Sequence, residues 1–282
     1  MADLTTTAKV KAYMRKTDAT DDTLLGVLVT AVSDRIEKLC GRVFGAADYT
    51  EWFSGNGQSA LHLKHYPVIY VHDVASGAAN ALSVAASGFI RATMQVYNGG
   101  VYLREVATSG AASTASFAFS SYDASSEVAT QINARSGWTA TSIQNIPADM
   151  LNPVAGIDVT STTEYLTYPD DSVAFTVDRD TGILHLSQQS DWPGDASRGR
   201  LKRGAKNYFV RYNAGYATIP TDLEMLANEL TAELFQQAAH DKNLTAESLG
   251  DYSYSLADAM QLDAAQRARL ARYIDVPVGG AR

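Results

Sequence analysis

Cysteine is almost absent from this chain of 282 residues, which contains a single one, Cys40. An intramolecular disulfide is therefore impossible, and the composition favours a reducing compartment. Cys40 falls near the end of a predicted helix, where we expect a small apolar packing residue. The first residues lack the apolar core of a secretory signal, and no apolar run approaches the ~18 residues that span a bilayer. We therefore expect a soluble, non-secreted protein without membrane contact.

Positive charge is also scarce. Lysine and arginine total 23 against 31 aspartates and glutamates, so the formal net charge is -8. Binding to nucleic acid is dominated by phosphate neutralisation, so this balance argues against a protein whose main task is to hold DNA or RNA. It does not exclude a ring through which DNA passes. Hydrophobic residues make up 46% of the chain, which is enough to bury a core in one large or two modest domains.

Recognisable catalytic and cofactor motifs are missing as well. The sequence has no nucleophile elbow, phosphate loop, dinucleotide fingerprint or zinc signature. His62, His65 and His72 are close in sequence, but on extended strands His65 faces away from the other two, so three metal ligands do not converge. Residues 178–182 are typical of a turn, because the further oxygen ligands of a calcium loop are missing. We predict no catalytic residue, no metal and no cofactor, and hence no enzyme.

Lysine disappears altogether from the middle of the chain, between Lys64 and Lys202. The stretch 75–165 is dominated by Ala, Ser, Thr and Gly, a composition that favours a β-rich module. Three hairpins are predicted, at 51–63, 94–106 and 173–186. The second has the strongest signal, because Asn98 and Gly99 suit the positive φ angles of a two-residue turn.

Between the second and third hairpins the pattern changes from strand to helix and back. Residues 114–122 alternate as a strand. Residues 125–136 predict a helix capped by Asp123, with Val128 and Ile132 on its inner face. Residues 138–142 then predict the next strand.

The two ends of the chain carry the helical periodicity. Residues 3–16 predict a short helix, and residues 17–44 predict a longer one that ends near Gly41. The apolar stripe of the longer helix consists of Leu25, Leu28, Val32, Ile36 and Leu39. A strand with alternating Tyr208, Val210 and Tyr212 precedes another helix, which begins near Pro220. Its apolar stripe consists of Leu223, Leu226, Leu230 and Leu234. Each stripe lies on one helical face and needs a partner to bury it.

The order of these terminal elements resembles the head-tail connector, or adaptor, proteins of tailed bacteriophages. The resemblance is carried by KNYFVRYNAGYATIPTDLEMLANELTAELFQQAAHDKN at 206–243, by SLGDYSYS at 248–255, and by the N-terminal helices. It covers roughly residues 3–74 and 168–275. It implies an α+β fold in which a helical connector domain, with two long helices plus shorter ones, also carries β-hairpins. The β-rich inserted domain departs from the family pattern.

This organisation predicts a discontinuous helical connector domain at 1–74 and 166–282 and an inserted β-rich domain at 75–165. The resemblance implies a virion structural protein that forms a dodecameric ring between the portal and the tail or next neck component. The expected partners are the portal protein, a tail or head-closure protein and further copies of this chain. Double-stranded DNA is expected to pass through the channel without sequence-specific binding. The expected location is the virion neck, with the host cytoplasm during assembly.

Six cations follow one another without an intervening acid: Arg198, Arg200, Lys202, Arg203, Lys206 and Arg211. Such a run is typical of a solvated loop or of a partner for acidic helices. The alternative is a surface that faces the DNA channel or the seam between subunits. At a seam, the acidic helix start at 18–22 of a neighbour is a candidate partner.

The C-terminal segment offers a second candidate surface. Its residues predict an amphipathic helix end that docks on the portal or on a neighbouring subunit: Arg267, Arg269, Leu270, Arg272 and Tyr273. A frayed chain end is the alternative.

A different function class stays open for the inserted region. In that reading the protein is a β-rich carbohydrate- or surface-binding module of a virion or cell-surface protein. Trp138, Tyr122, Tyr97 and Tyr102 would then form an exposed aromatic platform. Such aromatic residues belong more often to a core.

Overall fold

The computed structural model describes residues 3–97, 99–186, 200–238, 246–249, 252–255 and 262–274. The chain divides into two compact units. Unit 1 consists of Met1–Ala47 and Ala214–Arg282, and unit 2 consists of Asp48–Asn213. The two ends of the chain therefore belong to one unit, and a single continuous segment forms the other.

The α-helices are α1 (Thr7–Met14), α2 (Asp22–Cys40), α3 (Ser125–Asn133), α4 (Thr221–Ala238) and α5 (Ala264–Leu270). Short 3-10 helices follow at Ala148–Met150 and Ala271–Tyr273. The first eight strands are β1 (Ala47–Gly55), β2 (Ala60–His62), β3 (Val68–Ser76), β4 (Ala79–Ala86), β5 (Phe89–Tyr97), β6 (Gly100–Ala107), β7 (Ala112–Ala118) and β8 (Trp138–Ser142). The others are β9 (Val154–Asp158), β10 (Thr163–Tyr168), β11 (Asp171–Ser172), β12 (Phe175–Asp178), β13 (Ile183–Leu186), β14 (Gly204–Ala214), β15 (Ala246–Leu249) and β16 (Tyr252–Ser255).

The helices of unit 1 begin and end where local chemistry satisfies their free backbone groups. The Thr6 hydroxyl accepts a hydrogen bond from the Lys9 amide at 3.4 Å and caps α1. At the end of α2, Gly41 adopts φ 68°, a left-handed conformation that glycine reaches without a steric penalty. The predicted helix end near Gly41 is confirmed.

The core of unit 1 lies between α2, α4 and α5. It is built from apolar side chains of all three helices and the segments beside them: Leu4, Val32, Ile36, Cys40, Phe44, Leu223, Leu226, Ala227, Leu262, Leu270 and Tyr273. A smaller cluster joins α1 to α2 through Val10, Leu25 and Val29. Burial of apolar surface against neighbouring helices supplies most of the stability of such short helices.

Unit 2 contains four β-sheets. Sheet A has the strand order β1-β14-β3-β11, sheet B has β12-β13-β2, sheet C has β10-β4-β8 and sheet D has β7-β6-β5-β9. The β5–β6 hairpin pairs Tyr97 with Gly100, and Gly99 in its turn has φ 72°. The β12–β13 hairpin pairs Asp178 with Ile183. The predicted hairpins at 94–106 and 173–186 are therefore confirmed.

The inward faces of sheets C and D share one core with α3. Val128 and Ile132 of α3 are fully buried in it, as predicted. The helix begins one residue later than a cap at Asp123 requires, and Glu127 instead accepts a hydrogen bond from the Ala124 amide at 3.3 Å. The predicted strand at 138–142 is confirmed as β8.

The predicted fold class is wrong. Strands hold 41% of the residues and helices 28%, so the protein is mostly β and not a helical connector domain with two long helices. Much of the segment assigned to that helical domain forms the strands of sheets A and B. Their pairing joins segments that are far apart in sequence, such as β1 and β14. A periodicity along a single segment carries no signal for such a partner.

One local prediction is wrong for the same reason. The segment 51–63 is not a hairpin, because β1 joins sheet A whereas β2 joins sheet B. The predicted alternation at 208–212 is only partly present. Tyr208, Val210 and Tyr212 are buried, and Arg211 between the last two is half-buried. Phe209 departs from the pattern, since it is fully buried as well.

Candidate assembly surfaces

The basic segment lies at the start of β14 in unit 2. Arg198 is outside the described residues. Arg200, Lys202, Arg203 and Lys206 are exposed, and none of the four forms an ion pair with another residue in the described part of the chain. We call these four residues the basic loop.

Hydrogen bonds fix the backbone of the basic loop against the end of β1. The Lys202 amide donates to the Tyr208 hydroxyl at 2.8 Å, and the Lys206 amide donates to the Ser54 hydroxyl at 3.0 Å. The Asn207 side chain donates to the Lys202 carbonyl at 2.9 Å. The charged ends are thus displayed from a defined backbone.

Arg211 differs from the basic loop. Its Nη2 atom donates to both carboxylate oxygens of Asp149, at 3.0 and 3.1 Å, and the side chain is half-buried. Arg211 therefore has a local partner within unit 2. For this residue the run of six cations therefore has an acidic partner that lies far away in sequence.

The acidic start of α2, the candidate partner at a subunit seam, is already compensated within unit 1. Lys16 lies 2.6 Å from Asp21 and 3.5 Å from Asp18, and Lys11 lies 2.7 Å from Asp22. The hydrogen bond that Lys16 donates to the Asp21 carboxylate raises the pKa of Lys16. A neighbour's basic loop would have to compete with these lysines, which weakens the argument for a seam and leaves phosphate as the simpler partner.

The C-terminal candidates act mostly inside unit 1. Leu270 and Tyr273 are 3% and 8% exposed and belong to its core. Arg269 donates to both carboxylate oxygens of Glu229 on α4, at 3.0 and 2.7 Å. These contacts hold α5 on α4. They leave little of the predicted docking surface for a partner.

Asp222 at the start of α4 continues this arrangement. It pairs with Arg272 and accepts a hydrogen bond from the Tyr273 hydroxyl at 2.8 Å. Arg267 is exposed and makes no ion pair with any other described residue. Of the five predicted docking residues, Arg267 therefore offers the clearest free charge.

An exposed apolar face on α2 was not singled out from the sequence. Leu24 is 41% exposed, Val27 is 63% exposed, and Ala31 beside them is also exposed. We call these three residues the α2 outer face. Their spacing of three and four residues places them on one side of the helix, away from buried Leu25 and Val32. A shallow groove of about 720 Å³ runs beside Val27, along Gly26 and Thr30.

The signal for this face was present in the sequence. Leu24, Val27 and Ala31 have the same periodicity as the predicted inner stripe, so the first half of α2 is apolar on two sides. A helix with two apolar sides needs a second covering surface or presents one.

The four predicted platform aromatics do not share a surface. Trp138 is 4% exposed, and its indole nitrogen donates to Glu105. Tyr122 packs against the core of sheets C and D. Tyr97 and Tyr102 form a pair on the outer face of sheet D, with ring centroids 4.5 Å apart.

That outer face is polar and slightly concave. A cleft of about 600 Å³ is lined by side chains of β5, β6 and β7, including Thr93, Gln95, Tyr102, Arg104, Thr114 and Ser116. The alternation of the strands explains the arrangement, because the residues between these positions, such as Met94 and Leu103, face the core.

The three histidines that are close in sequence have different surroundings. His62 and His72 are exposed, whereas His65 stacks on Tyr49 with ring centroids 3.7 Å apart. Throughout the described ranges, no group of three or more His, Cys, Asp or Glu side chains is arranged to hold a metal ion. None of the helices in the described ranges has the length and apolar character needed to cross a membrane.

No protein-family model matches the chain, and no curated protein matches it significantly.

Proposed function

We propose that this protein is a structural component of a bacteriophage neck, where copies form a ring around the DNA channel between the portal and the tail or head-closure protein. The proposal rests on the resemblance of the terminal segments to head-tail connectors. In the structure, the observation that carries it is the α2 outer face, because an exposed apolar helix side of this kind is typical of a surface that a neighbouring subunit covers.

Ring closure requires a heterologous contact, in which one surface of a subunit meets a different surface of the next. The α2 outer face supplies one such surface in unit 1. The basic loop supplies a site for DNA in this function, since its cations have no ion-pair partner among the described residues while the acidic start of α2 already has its own lysines. Contact with passing DNA needs phosphate neutralisation and no base recognition.

The first experiment tests the ring. The parent protein is expected to sediment as a large ring that negative-stain images resolve. Val27→Asp is expected to abolish rings, because a charge at the centre of an apolar contact is costly to desolvate. Met225→Asp is the matched control, because Met225 is a 51% exposed apolar residue on α4 and does not line the groove beside Val27. A parent that stays monomeric at all concentrations and alongside purified portal contradicts the proposal.

The second experiment tests the basic loop. Lys202→Gln, Arg203→Gln and Lys206→Gln together are expected to leave ring mass unchanged and to weaken retention of double-stranded DNA. The slope of log K against log salt should fall by about 0.9 for each phosphate contact that is lost. Equal DNA retention by parent and variant contradicts a channel role for these residues.

A second candidate function is supported by the Tyr97–Tyr102 pair beside the polar cleft of sheet D. Aromatic faces next to hydroxyl and amide groups suit a carbohydrate, which has both apolar ring faces and hydroxyls. Tyr102→Ala should abolish glycan binding in an array or by calorimetry, while Tyr165→Ala, at an exposed tyrosine elsewhere in unit 2, should not. Absence of glycan binding by the parent eliminates this candidate.

A further inference from the structure

Strand β7 is an open edge with unusual composition. It lies at the end of sheet D, and β6 is its only strand neighbour within the described residues. Its sequence, ASTASFA, contains no charge and no proline, and five of its seven side chains are exposed. Unpaired backbone groups along such an edge form a ready template for another strand.

The other long edges in unit 2 are protected. Strands β1, β9 and β10 carry the acidic residues Asp48, Asp158 and Glu164. Strand β8 has no charge, but the Asn133 side chain covers it. That amide donates to the Ala140 carbonyl at 2.8 Å and accepts from the Ala140 amide at 2.7 Å, in the manner of a neighbouring strand. Among the described edge strands of five residues or more, β7 alone has neither an acidic residue nor a side chain that bonds to its edge.

We infer that β7 pairs with β7 of a second copy, antiparallel and about a two-fold axis at Ala115. This register places Ala112 opposite Ala118, and Thr114 opposite Ser116. Because residues of equal parity then meet, the polar face of sheet D continues into the polar face of its partner, and the core faces continue likewise. The four strands of sheet D from each copy would then form one continuous eight-stranded sheet.

The chemistry of the strand favours a second copy as the occupant. With the axis at Ala115, that residue meets its own copy and the residues next to it lie close to theirs, so a charge there would lie close to a like charge. The strand has none. The Thr114–Ser116 pairs occur twice across the axis, and cross-strand pairs of threonine and serine stabilise antiparallel sheets through hydroxyl hydrogen bonds.

This contact is independent of the proposed ring. A two-fold contact uses the same surface on both copies, whereas neighbours around a ring use two different surfaces. The β7 contact therefore joins copies from separate rings or copies not yet assembled. Its test is best made in both the parent and the Val27→Asp variant, so that loss of ring contacts does not obscure the result.

The main experiment uses complementary charge variants. Thr114→Lys with Ser116→Lys, and Thr114→Glu with Ser116→Glu, each place like charges across the axis. Each variant alone is expected to dissociate at least about tenfold more readily than the parent in analytical ultracentrifugation. An equimolar mixture is expected to recover dimers. The inference is overturned by a parent without dimers, by variants that self-associate like the parent, or by a mixture that stays monomeric.

A matched control addresses the effect of charge itself. Thr139→Lys with Thr141→Lys places two cations at the same spacing on β8, at exposed positions of the edge that Asn133 covers. This variant is expected to dimerise like the parent. Dimer loss equal to that of the β7 variants overturns the inference, because charge anywhere on the unit would then suffice.

A crosslink tests the register without depending on charge. Ala112→Cys with Ala118→Cys is expected to form a covalent dimer on mild oxidation, because these positions face each other across the axis. Ala112→Cys alone is expected to stay uncrosslinked, since the two copies of residue 112 lie about 20 Å apart in this register. The native Cys40 is buried and does not compete. Failure of the double variant to crosslink overturns the register.

Discussion

In unit 1 the helices are joined at their surfaces by charged pairs, whereas in unit 2 the strands are joined chiefly by backbone hydrogen bonds. Lys9 of α1 lies 2.6 Å from Glu224 of α4, and Arg269 of α5 lies 2.7 Å from Glu229 of α4. In unit 2, sheet D pairs β5, β6 and β7 along their whole lengths, and β7 contributes only small neutral residues and one phenylalanine.

The difference follows from where helices and sheets form the hydrogen bonds of their backbone N–H and C=O groups. A helix satisfies its own N–H and C=O groups, so contacts between helices depend on side chains. A sheet satisfies them between strands and leaves unpaired groups at each edge. The candidate contact surface of unit 1 is accordingly a set of side chains, the α2 outer face, and that of unit 2 is a backbone edge, β7.

The largest expected effect is a loss of stability confined to unit 1. Leu226→Asp places a carboxylate in the unit 1 core, where Leu226 is 1% exposed, and is expected to cost ~3 kcal/mol or more. Met225→Asp, at the adjacent and 51% exposed position, is expected to change little.

Two reporters distinguish the units in that experiment. Cys40 is the chain's single cysteine, and burial raises the pKa of its thiol to about 11, so thiol labelling at pH 8 reports opening of unit 1. All three tryptophans lie between residues 48 and 213, so their fluorescence reports unit 2. In Leu226→Asp we expect fast labelling with unchanged fluorescence. Simultaneous loss of both signals would show that the units unfold as one.

A smaller effect is expected in unit 2. Glu105 on β6 binds Arg135 and the Trp138 indole. Glu105→Ala leaves buried Trp138 and half-buried Arg135 without this acceptor and is expected to lower the free energy of unfolding by about 2–3 kcal/mol. Glu105→Gln, which keeps an acceptor oxygen, should lose less. Tryptophan fluorescence during urea unfolding measures both. Equal stability of the alanine variant and the parent contradicts a structural role for this network.

A stabilising change is expected in unit 1. Glu37 is 4% exposed and accepts a hydrogen bond from the Phe44 amide at 3.0 Å. Burial raises the pKa of Glu37. The folded state therefore holds its proton more tightly than the unfolded state, so the parent loses stability as pH rises through the range above the unfolded value of about 4.3.

Glu37→Gln keeps the acceptor and removes the buried charge. It is expected to be more stable than the parent by about 1 kcal/mol at pH 7, with the difference vanishing near pH 4. Helical circular dichroism during thermal unfolding at both pH values measures it. Glu229→Gln is the contrast, since it breaks the pair with Arg269 and should not stabilise. A gain that is the same at both pH values would exclude titration of Glu37 as its cause.

The smallest effect concerns the link between β14 and the 3-10 turn at Ala148–Met150. A double-mutant cycle of Arg211→Gln and Asp149→Asn is expected to give a coupling energy of about 0.5 kcal/mol, because both side chains are partly exposed. The coupling should shrink in 1 M salt. A coupling energy of zero at low salt would show that the Arg211–Asp149 pair adds nothing to the stability of the protein.

The elements that sequence reasoning located are those with local signals. The β5–β6 turn at Gly99, the end of α2 at Gly41 and the inner face of α3 each depend on residues within a few positions of one another. The fold class was wrong because sheets A and B pair distant segments. The C-terminal cations were taken for a free surface because Glu229 and Asp222, which bind Arg269 and Arg272, lie about 40 to 50 residues earlier.

The sequence by itself determined the helix ends, the tight turns and which strands carry no charged residue. These depend on φ preferences, capping and side-chain chemistry, which act over a few residues. Only the tertiary structure decided that β14 is buried between two strands, that Arg211 has a partner in Asp149, and that Leu24 and Val27 remain exposed while β7 stays an edge. Burial and strand pairing depend on which distant surfaces meet, and no local pattern records that choice.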